Sequence, residues 1–203
     1  MKPAPSSPRR ERKRQTLRQH IVTVAMALFD AEGYNAVTME RIAAEADVAK
    51  GTLYKYFPIK EAIVAAFMSG MSSDYDEAIS ELMAQIPDTE GRLTALFAGF
   101  ANWAIQHRDY MAAYITYRLS DPRWYAAADS ERSGFHRHLM QILAAGVAAG
   151  ELRDDVPVEL AVIYLQMLQL AATLRWLQQP DGELTDLLGQ IVRLFLHGLR
   201  RAS

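Results

Sequence analysis

Residues 38–60 read TMERIAAEADVAKGTLYKYFPIK, two short helical stretches around a tight turn, followed at once by aromatics and lysines. Ile42, Ala43 and Ala46 put apolar or small side chains on one side of the first stretch, and Asp47 and Val48 make the turn. The second stretch, about residues 49–55, is too short to bury much alone and offers Lys50, Thr52, Tyr54 and Lys55 to solvent. This is the pattern of a helix-turn-helix. Lysine supplies charge, threonine and tyrosine hydroxyls bond phosphate oxygens, and helix N-termini attract anions, so the outward residues suit a DNA groove and its phosphates. The plainer alternative is a helical hairpin with a solvated polar face.

Reading outward from this stretch adds Phe29, Gly33-Tyr34, Val37-Thr38, Ile42-Ala43, Val48, Lys50-Gly51-Thr52-Leu53-Tyr54 and Tyr56-Phe57-Pro58 with Lys60-Glu61. Many positions at fixed spacing are far more specific than a lone short motif, and together they resemble the N-terminal domain of TetR/AcrR-family repressors. The resemblance implies an all-α protein: a three-helix DNA-binding domain followed by a larger helical domain that binds a small-molecule effector and forms a homodimer. It implies DNA contacts from Thr38, Lys50, Gly51, Thr52, Tyr54, Lys55, Tyr56 and Lys60. Three departures concern helix ends. Ala49 stands where the family usually has a capping Ser, Asp47 where it often has Gly, and Ile59 where it favours a polar cap. Asp47 is an alternative cap for the recognition helix, since Asp and Ser are comparable N-caps and Ala is poor.

Charge is divided along the chain. Residues 1–60 carry 11 Lys+Arg against 6 Asp+Glu, a net of +5, whereas residues 61–203 carry 11 against 18, a net of −7. All five lysines, at positions 2, 13, 50, 55 and 60, lie in the basic part, which suits a polyanion partner there. The chain has no cysteine, which excludes a disulfide framework, a thiolate metal site and a cysteine nucleophile; it fits a cytoplasmic location.

The first fifteen residues, MKPAPSSPRRERKRQ, are rich in Pro, Ser and basic side chains and read as a disordered basic arm over 1–15. Arg9, Arg10, Arg12, Lys13 and Arg14 then serve either to contact a neighbouring minor groove or phosphates, or only to solubilise the chain. A secretory signal is not expected, because the apolar run from Ile21 to Phe29 has amphipathic spacing, His20 and Asp30 flank it, and no small-residue cleavage site follows. Thr16-Leu17-Arg18-Gln19 reads as a capping box opening the first helix at Thr16, with Gly33 closing it. Ile21, Val24, Ala25, Leu28 and Phe29 make its apolar stripe. The DNA-binding domain is thus expected over 16–58 and the ligand-binding and dimerisation domain over 59–203.

Beyond Lys60 no convincing strand-like alternation appears, and Pro87-Asp88, Asp121-Pro122, Val156-Pro157 and Pro180-Asp181-Gly182 punctuate helices. The spacing predicts helices at about 59–85, 89–107, 109–119, 122–149, 157–178 and 183–201. The last two are apolar on more than one face. Leu160, Tyr164 and Met167 in one, with Leu188, Ile191 and Phe195 in the other, are expected at a two-fold four-helix homodimer interface. The alternative is a pair buried within one chain. A membrane span is not expected, because Gln166, Gln169 and Arg175 interrupt the apolar run, which falls short of the ~20 residues a bilayer requires. A symmetric dimer would present two recognition helices to palindromic double-stranded DNA.

Eight of the nineteen aromatics fall between Phe97 and Tyr125. Tyr110, Tyr114 and Tyr117 share one helical face, as do Phe100, Trp103 and His107; with Phe67 and Met71 they are candidate lining for an apolar or aromatic effector. Aromatic stripes at helical spacing are equally what cores are made of. Effector binding would release DNA by favouring the DNA-incompetent geometry.

No catalytic constellation stands out, and neither a cofactor nor a metal is expected. There is no G-x-S-x-G elbow, phosphate-binding glycine loop or H-E-x-x-H. His136 and His138, near Asp129 and Glu131, are two residues apart; helical geometry turns them roughly 200° from one another, which prevents a shared ion. Gly146 and Gly150 read as close helix packing. The remaining alternative function is a helical protein-interaction module whose basic end binds polyanions without sequence preference.

Overall fold

The computed structural model describes residues 8–74, 76–120, 134–179 and 183–199, with positions 8, 69, 71–74 and 199 described by backbone alone. In chain order its helices are α1 (Pro8–Glu32), α2 (Met39–Glu45), α3 (Lys50–Tyr56), α4 (Lys60–Asp74), α5 (Asp76–Gln85), α6 (Thr89–Gln106), α7 (Arg108–Ser120), α8 (Gly134–Ala148), α9 (Val158–Gln178) and α10 (Leu184–Leu199). No strand occurs among the described residues, and the expected all-α class is the one observed.

Two compact units divide the chain: unit 1 holds Met1–Met68 and Ala113–Ser120, and unit 2 holds Ser69–Ala112 and Asp121–Ser203. The division falls within α4 and within α7, so each of these helices has residues in both units.

Unit 1 is built largely on the stripe read from the sequence, except that Val24 is only half-buried and Val22 takes its place in the core. Ile21, Val22, Ala25 and Phe29 of α1 are buried with Ile42 and Ala43 of α2, Leu53 of α3, Phe57, and Ile63 and Val64 of α4. Gly33 adopts φ +85°, the left-handed conformation that ends α1 without a Cβ penalty. The start of α1 differs from expectation. Thr16 does not open the helix: its hydroxyl donates to the Arg12 carbonyl at 3.0 Å, one turn back inside a helix that begins at Pro8. Proline suits the first helical turn, and Arg14 pairs with Glu11 at 2.9 Å one turn away. Residues 8–15 of the expected arm are therefore helical; residues 1–7 lie outside the described set.

Unit 2 is a bundle in which α10 packs chiefly on α6 and α9, and α8 packs on α9 and α6. Leu93, Phe97, Ala101 and Ala104 of α6 are buried with Leu139, Ile142 and Leu143 of α8, Val162 and Leu165 of α9, and Leu184, Leu188, Val192 and Leu196 of α10. Asp88 caps α6 by accepting from the Gly91 amide at 2.8 Å. At Gly146 of α8 a Cβ would collide with the buried Thr89 side chain, so this glycine is fixed by close helix packing. The helix expected over 59–85 is two elements, α4 and α5, on either side of position 75. Of the helix expected over 122–149, Gly134–Ala148 is seen as α8; the Asp121-Pro122 cap lies outside the described residues, as does Pro180-Asp181-Gly182. By length and composition alone α9 is apolar enough to cross a membrane. Its Gln169 and Thr173 are nevertheless buried within the bundle, the Thr173 hydroxyl donating to the Gln169 carbonyl at 2.8 Å.

A candidate DNA-binding face and an aromatic cluster

The turn between α2 and α3 brings the two short helices together. Thr38 caps α2, its hydroxyl oxygen accepting from the Arg41 amide at 3.1 Å, which leaves the hydroxyl hydrogen for an outside acceptor. Asp47 sits at φ +51° in the left-handed region, where Asp is tolerated better than most residues and Gly best. Ala49 takes the N-cap position of α3 with no side-chain bond, so Asp47 does not serve as the alternative cap. Asp47 turns the chain and leaves the α3 amide donors without a side-chain partner. His20 of α1 reaches the other end of the motif, bonding the Ala46 carbonyl at 3.3 Å beside the end of α2.

Within α3 only Leu53 is buried, with 0% exposure. Lys50, Gly51, Tyr54 and Lys55 are exposed, and Thr52 and Tyr56 half-buried. One apolar anchor thus fixes the helix while its other side chains remain available. At Gly51 an added Cβ would meet nothing within 4 Å, so no packing inside the protein requires a glycine there.

Sequence reading passed over Glu40. This first-turn carboxylate of α2 accepts from the Tyr54 hydroxyl at 3.4 Å and lies 3.8 Å from the Lys50 ammonium. It ties Tyr54 and Lys50 of α3 to α2 through one long hydrogen bond and one exposed, weak ion pair. Its position in the sequence was plain, but its reach to α3 depends on the turn.

Lys60 is placed differently from expectation. Its ammonium donates to the carbonyls of Tyr34 and Val37, each at 2.7 Å, and lies 4.4 Å from the Tyr34 ring centre. Tyr34 in turn donates to Glu61 at 3.1 Å, and burial, followed by the Glu61 charge, raises its phenol well above the usual range. Lys60 and Glu61 therefore pin the loop before α2 to the start of α4. The half-buried Lys60 ammonium thus spends two of its donors on loop carbonyls inside the protein and acts there as a positioning group.

The aromatic candidates are divided between the units. In unit 2, Trp103 stacks on His107 with ring centres 4.6 Å apart, and His107 lies 5.5 Å from Tyr110. Nδ1 of His107 also donates to the Trp103 carbonyl at 2.9 Å, closing the corner between α6 and α7. Phe135 of α8 lies 5.6 Å from both Phe97 and Phe100. Arg108 donates to the Leu177 carbonyl at 2.6 Å, and its guanidinium lies 5.2 Å from the centre of the Trp176 ring. Phe135 and Trp176 were not among the candidates; long-range packing brings them in, and no local pattern marks them. In unit 1, Phe67 and Tyr117 are half-buried, and Tyr114 has its phenol pushed up by burial while Arg118 lies 5.6 Å above its ring. The Met71 side chain lies outside the described residues.

The two buried imidazoles of α8, His136 and His138, have separate partners. His136 donates to Gln166 at 2.9 Å and His138 to Asp76 at 2.7 Å. The His138 bond, with help from Arg137, holds the Asp76 carboxyl below its ordinary range. Asp129 and Glu131 lie outside the described residues, and no three potential metal-ligating side chains cluster among the described ones.

On α9 and α10, Tyr164 is 54% exposed, Leu160 38% and Leu194 68%. Met167, Ile191 and Phe195 are half-buried. Leu188 is corrected: it is 1% exposed within the single chain. Residues 184, 188, 192 and 196 form the α10 stripe that faces inward, so an outer face is carried by the positions around Ile191, Leu194 and Phe195.

Comparison with known proteins covers both units. Residues 21–67 match the family model described as bacterial regulatory proteins, tetR family, and residues 87–199 match the tetracyclin repressor-like C-terminal domain. The HTH-type transcriptional repressor KstR2 of Rhodococcus jostii is 28% identical over 187 residues, covering 90% of each chain. The crystal structure of Thermus thermophilus FadR, a repressor in complex with lauroyl-CoA, superposes with a TM-score of 0.75 at 28% identity, covering 92% of this chain and 97% of that one. FadR of Bacillus subtilis, solved with stearoyl-CoA, shares the fold with a TM-score of 0.66 at 20% identity, covering 90% and 99%.

Proposed function

From the premise that the chain belongs to the TetR family of DNA-binding, ligand-responsive transcriptional regulators, we propose that it is a repressor that grips a palindromic operator as a homodimer and releases it when an apolar effector binds. The family's members are regulators rather than enzymes. The observation that carries the DNA half is the build of α3: Leu53 alone is buried, and Lys50, Gly51, Thr52, Tyr54 and Lys55 remain for a major groove and its phosphates. Thr38 adds a hydroxyl donor at the start of α2, and Tyr56 a second phenol at the end of α3.

Leu160, Tyr164 and Leu194 with the half-buried Met167, Ile191 and Phe195 support a four-helix interface between two copies of α9 and α10. Exposed apolar residues on neighbouring helices are the surface a symmetric partner would cover. Repression of this kind operates on chromosomal DNA, hence in the cytoplasm.

For the effector we favour a long-chain acyl thioester of coenzyme A, because the Thermus FadR structure, alike along 92% of this chain, holds lauroyl-CoA. The aromatic side chains of unit 2, Phe100, Trp103, His107 and Tyr110, are the proposed acyl-chain lining. Phe67, Met71, Tyr114 and Tyr117 lie on α4 and α7, the helices with residues in both units, and are proposed to couple effector binding to DNA release. A 100-fold release requires the effector to prefer the DNA-incompetent state by about 2.7 kcal/mol.

Selection from random duplex DNA at near-physiological salt tests the reading. An enriched palindrome, lost on changing Lys50, Thr52 and Tyr54 together to Ala and released by lauroyl-CoA, supports it. Equal binding to all duplexes, falling steeply with salt, would instead mark a non-specific polyanion-binding module.

A further inference from the structure

The N-terminal extension of α1 carries an arginine stripe on the side of the helix that faces the recognition motif. Arg10, Arg14 and Arg18 recur every four residues, the spacing of one helical face, and that face runs directly into buried Ile21, Val22 and Ala25. The end of α3 marks where the stripe leads. The Arg18 guanidinium lies 5.1 Å over the Phe57 ring, and Arg14, one turn further out, is within electrostatic reach of Tyr56. From Arg18 to Arg10 the helix advances about 12 Å, the length of three to four base pairs at about 3.4 Å each. Arg9 and Arg12 fall on the opposite side by the same spacing.

We propose that Arg10 and Arg14 bind DNA phosphates flanking the half-site that α3 reads, making the start of α1 a helical extension of the operator contact. The assignment rests on the DNA-binding reading above. Arg18 is assigned a positioning role instead of a phosphate: though exposed, its guanidinium is seated over the Phe57 ring and sets the direction of the stripe. In the free protein Glu11 holds Arg14 at 2.9 Å, with both side chains largely exposed. Phosphate must displace this weak pair, so Glu11 tempers the extension. Phosphate contacts position a protein without reading bases, so the extension should strengthen binding to any flanking sequence and leave base preference to α3.

The test uses the full chain and two duplexes carrying the selected operator, one ending at the half-sites and one extended by about a helical turn on each side. The parent should bind the extended duplex more tightly. Changing Arg10 and Arg14 together to Gln should erase that advantage, weaken binding to the extended duplex roughly tenfold or more, and lower the salt slope by about 1.8 per protomer, with base preference unchanged. Glu11→Gln should do the reverse, tightening binding to the extended duplex, a gain that misfolding cannot produce. A parent that prefers the palindrome but whose double variant keeps both the flank advantage and the slope overturns this proposal alone. So does equal weakening on both duplexes. A parent that selects no sequence overturns the DNA-binding reading itself, and binding of the extension to acidic vesicles or acidic protein, with no duplex-length effect, reassigns the stripe.

Discussion

The helix-turn-helix of unit 1 and the aromatic corner of unit 2 use similar residue types to opposite ends. In α3, seven residues long, one leucine is buried and two tyrosines, two lysines and a threonine are left at least partly open. Around α6 and the start of α7, aromatic side chains turn on one another: Trp103 on His107, His107 toward Tyr110, Phe97 and Phe100 on Phe135. A short helix with one anchor can be held in place only by its neighbours, so its exposed residues are free to meet a rigid external partner. A longer helix in a bundle stabilises itself through many partners, and any ligand must enter among them. The first region is suited to reading a fixed surface, the second to adjusting around a flexible one.

The largest effects should expose how differently the two regions are anchored. Leu53→Ala removes the sole buried side chain of α3, and a fully buried leucine replaced by alanine costs about 2–5 kcal/mol. Thermal unfolding followed by circular dichroism should show the loss, together with abolished operator binding in a gel-shift or fluorescence assay. Operator affinity within twofold of the parent would mean that α3 is held by something other than this anchor. Gly146→Ala should act in the opposite sense, by overfilling. Its new methyl would meet the Thr89 hydroxyl and the Leu152 side chain, and overpacking costs about 1–3 kcal/mol. A lowered melting temperature with an unaltered base preference in DNA selection is the expected result; unchanged stability would show that α6 and α8 are not closely packed there.

What could be read from the sequence follows the same division. The helix-turn-helix was legible because its signals are local: Gly33 closing α1, Thr38 starting α2, the apolar positions 42, 43, 46 and 53, and the polar residues between them. The start of α1 was misread because Thr16 satisfies a capping pattern that Pro8 and the Glu11–Arg14 pair override. The internal partners of Lys60 were hidden for another reason: they are carbonyls 23 and 26 residues away, and a backbone acceptor leaves no trace in residue type. The same holds for Leu188, since α9 and α10 are apolar on more than one side and only the packing on α6 decides which side of α10 turns inward. Phe135 reaches Phe97 and Phe100, and Arg108 covers Trp176, through tertiary contacts alone. Helical periodicity identifies which residues share a face. It does not say what that face meets.

The smallest effect offers the sharpest test of the comparison, because it separates stability from recognition at one atom. Gly51 is the second residue of α3, and glycine there disfavours the helix by roughly 0.5–1 kcal/mol relative to alanine. Nothing within the protein lies within 4 Å of the Cβ an alanine would add, and the backbone there is not in the left-handed region. On internal grounds Gly51→Ala should therefore raise stability by about that amount, seen as a slightly higher melting temperature. If α3 meets DNA, the same methyl would stand between the helix backbone and the groove, and operator affinity should fall while the melting temperature rises. A variant with raised stability and unchanged affinity would place the DNA contact away from the N-terminal turn of α3; lowered stability would mean that the packing around this turn, and not its partner, accounts for the glycine.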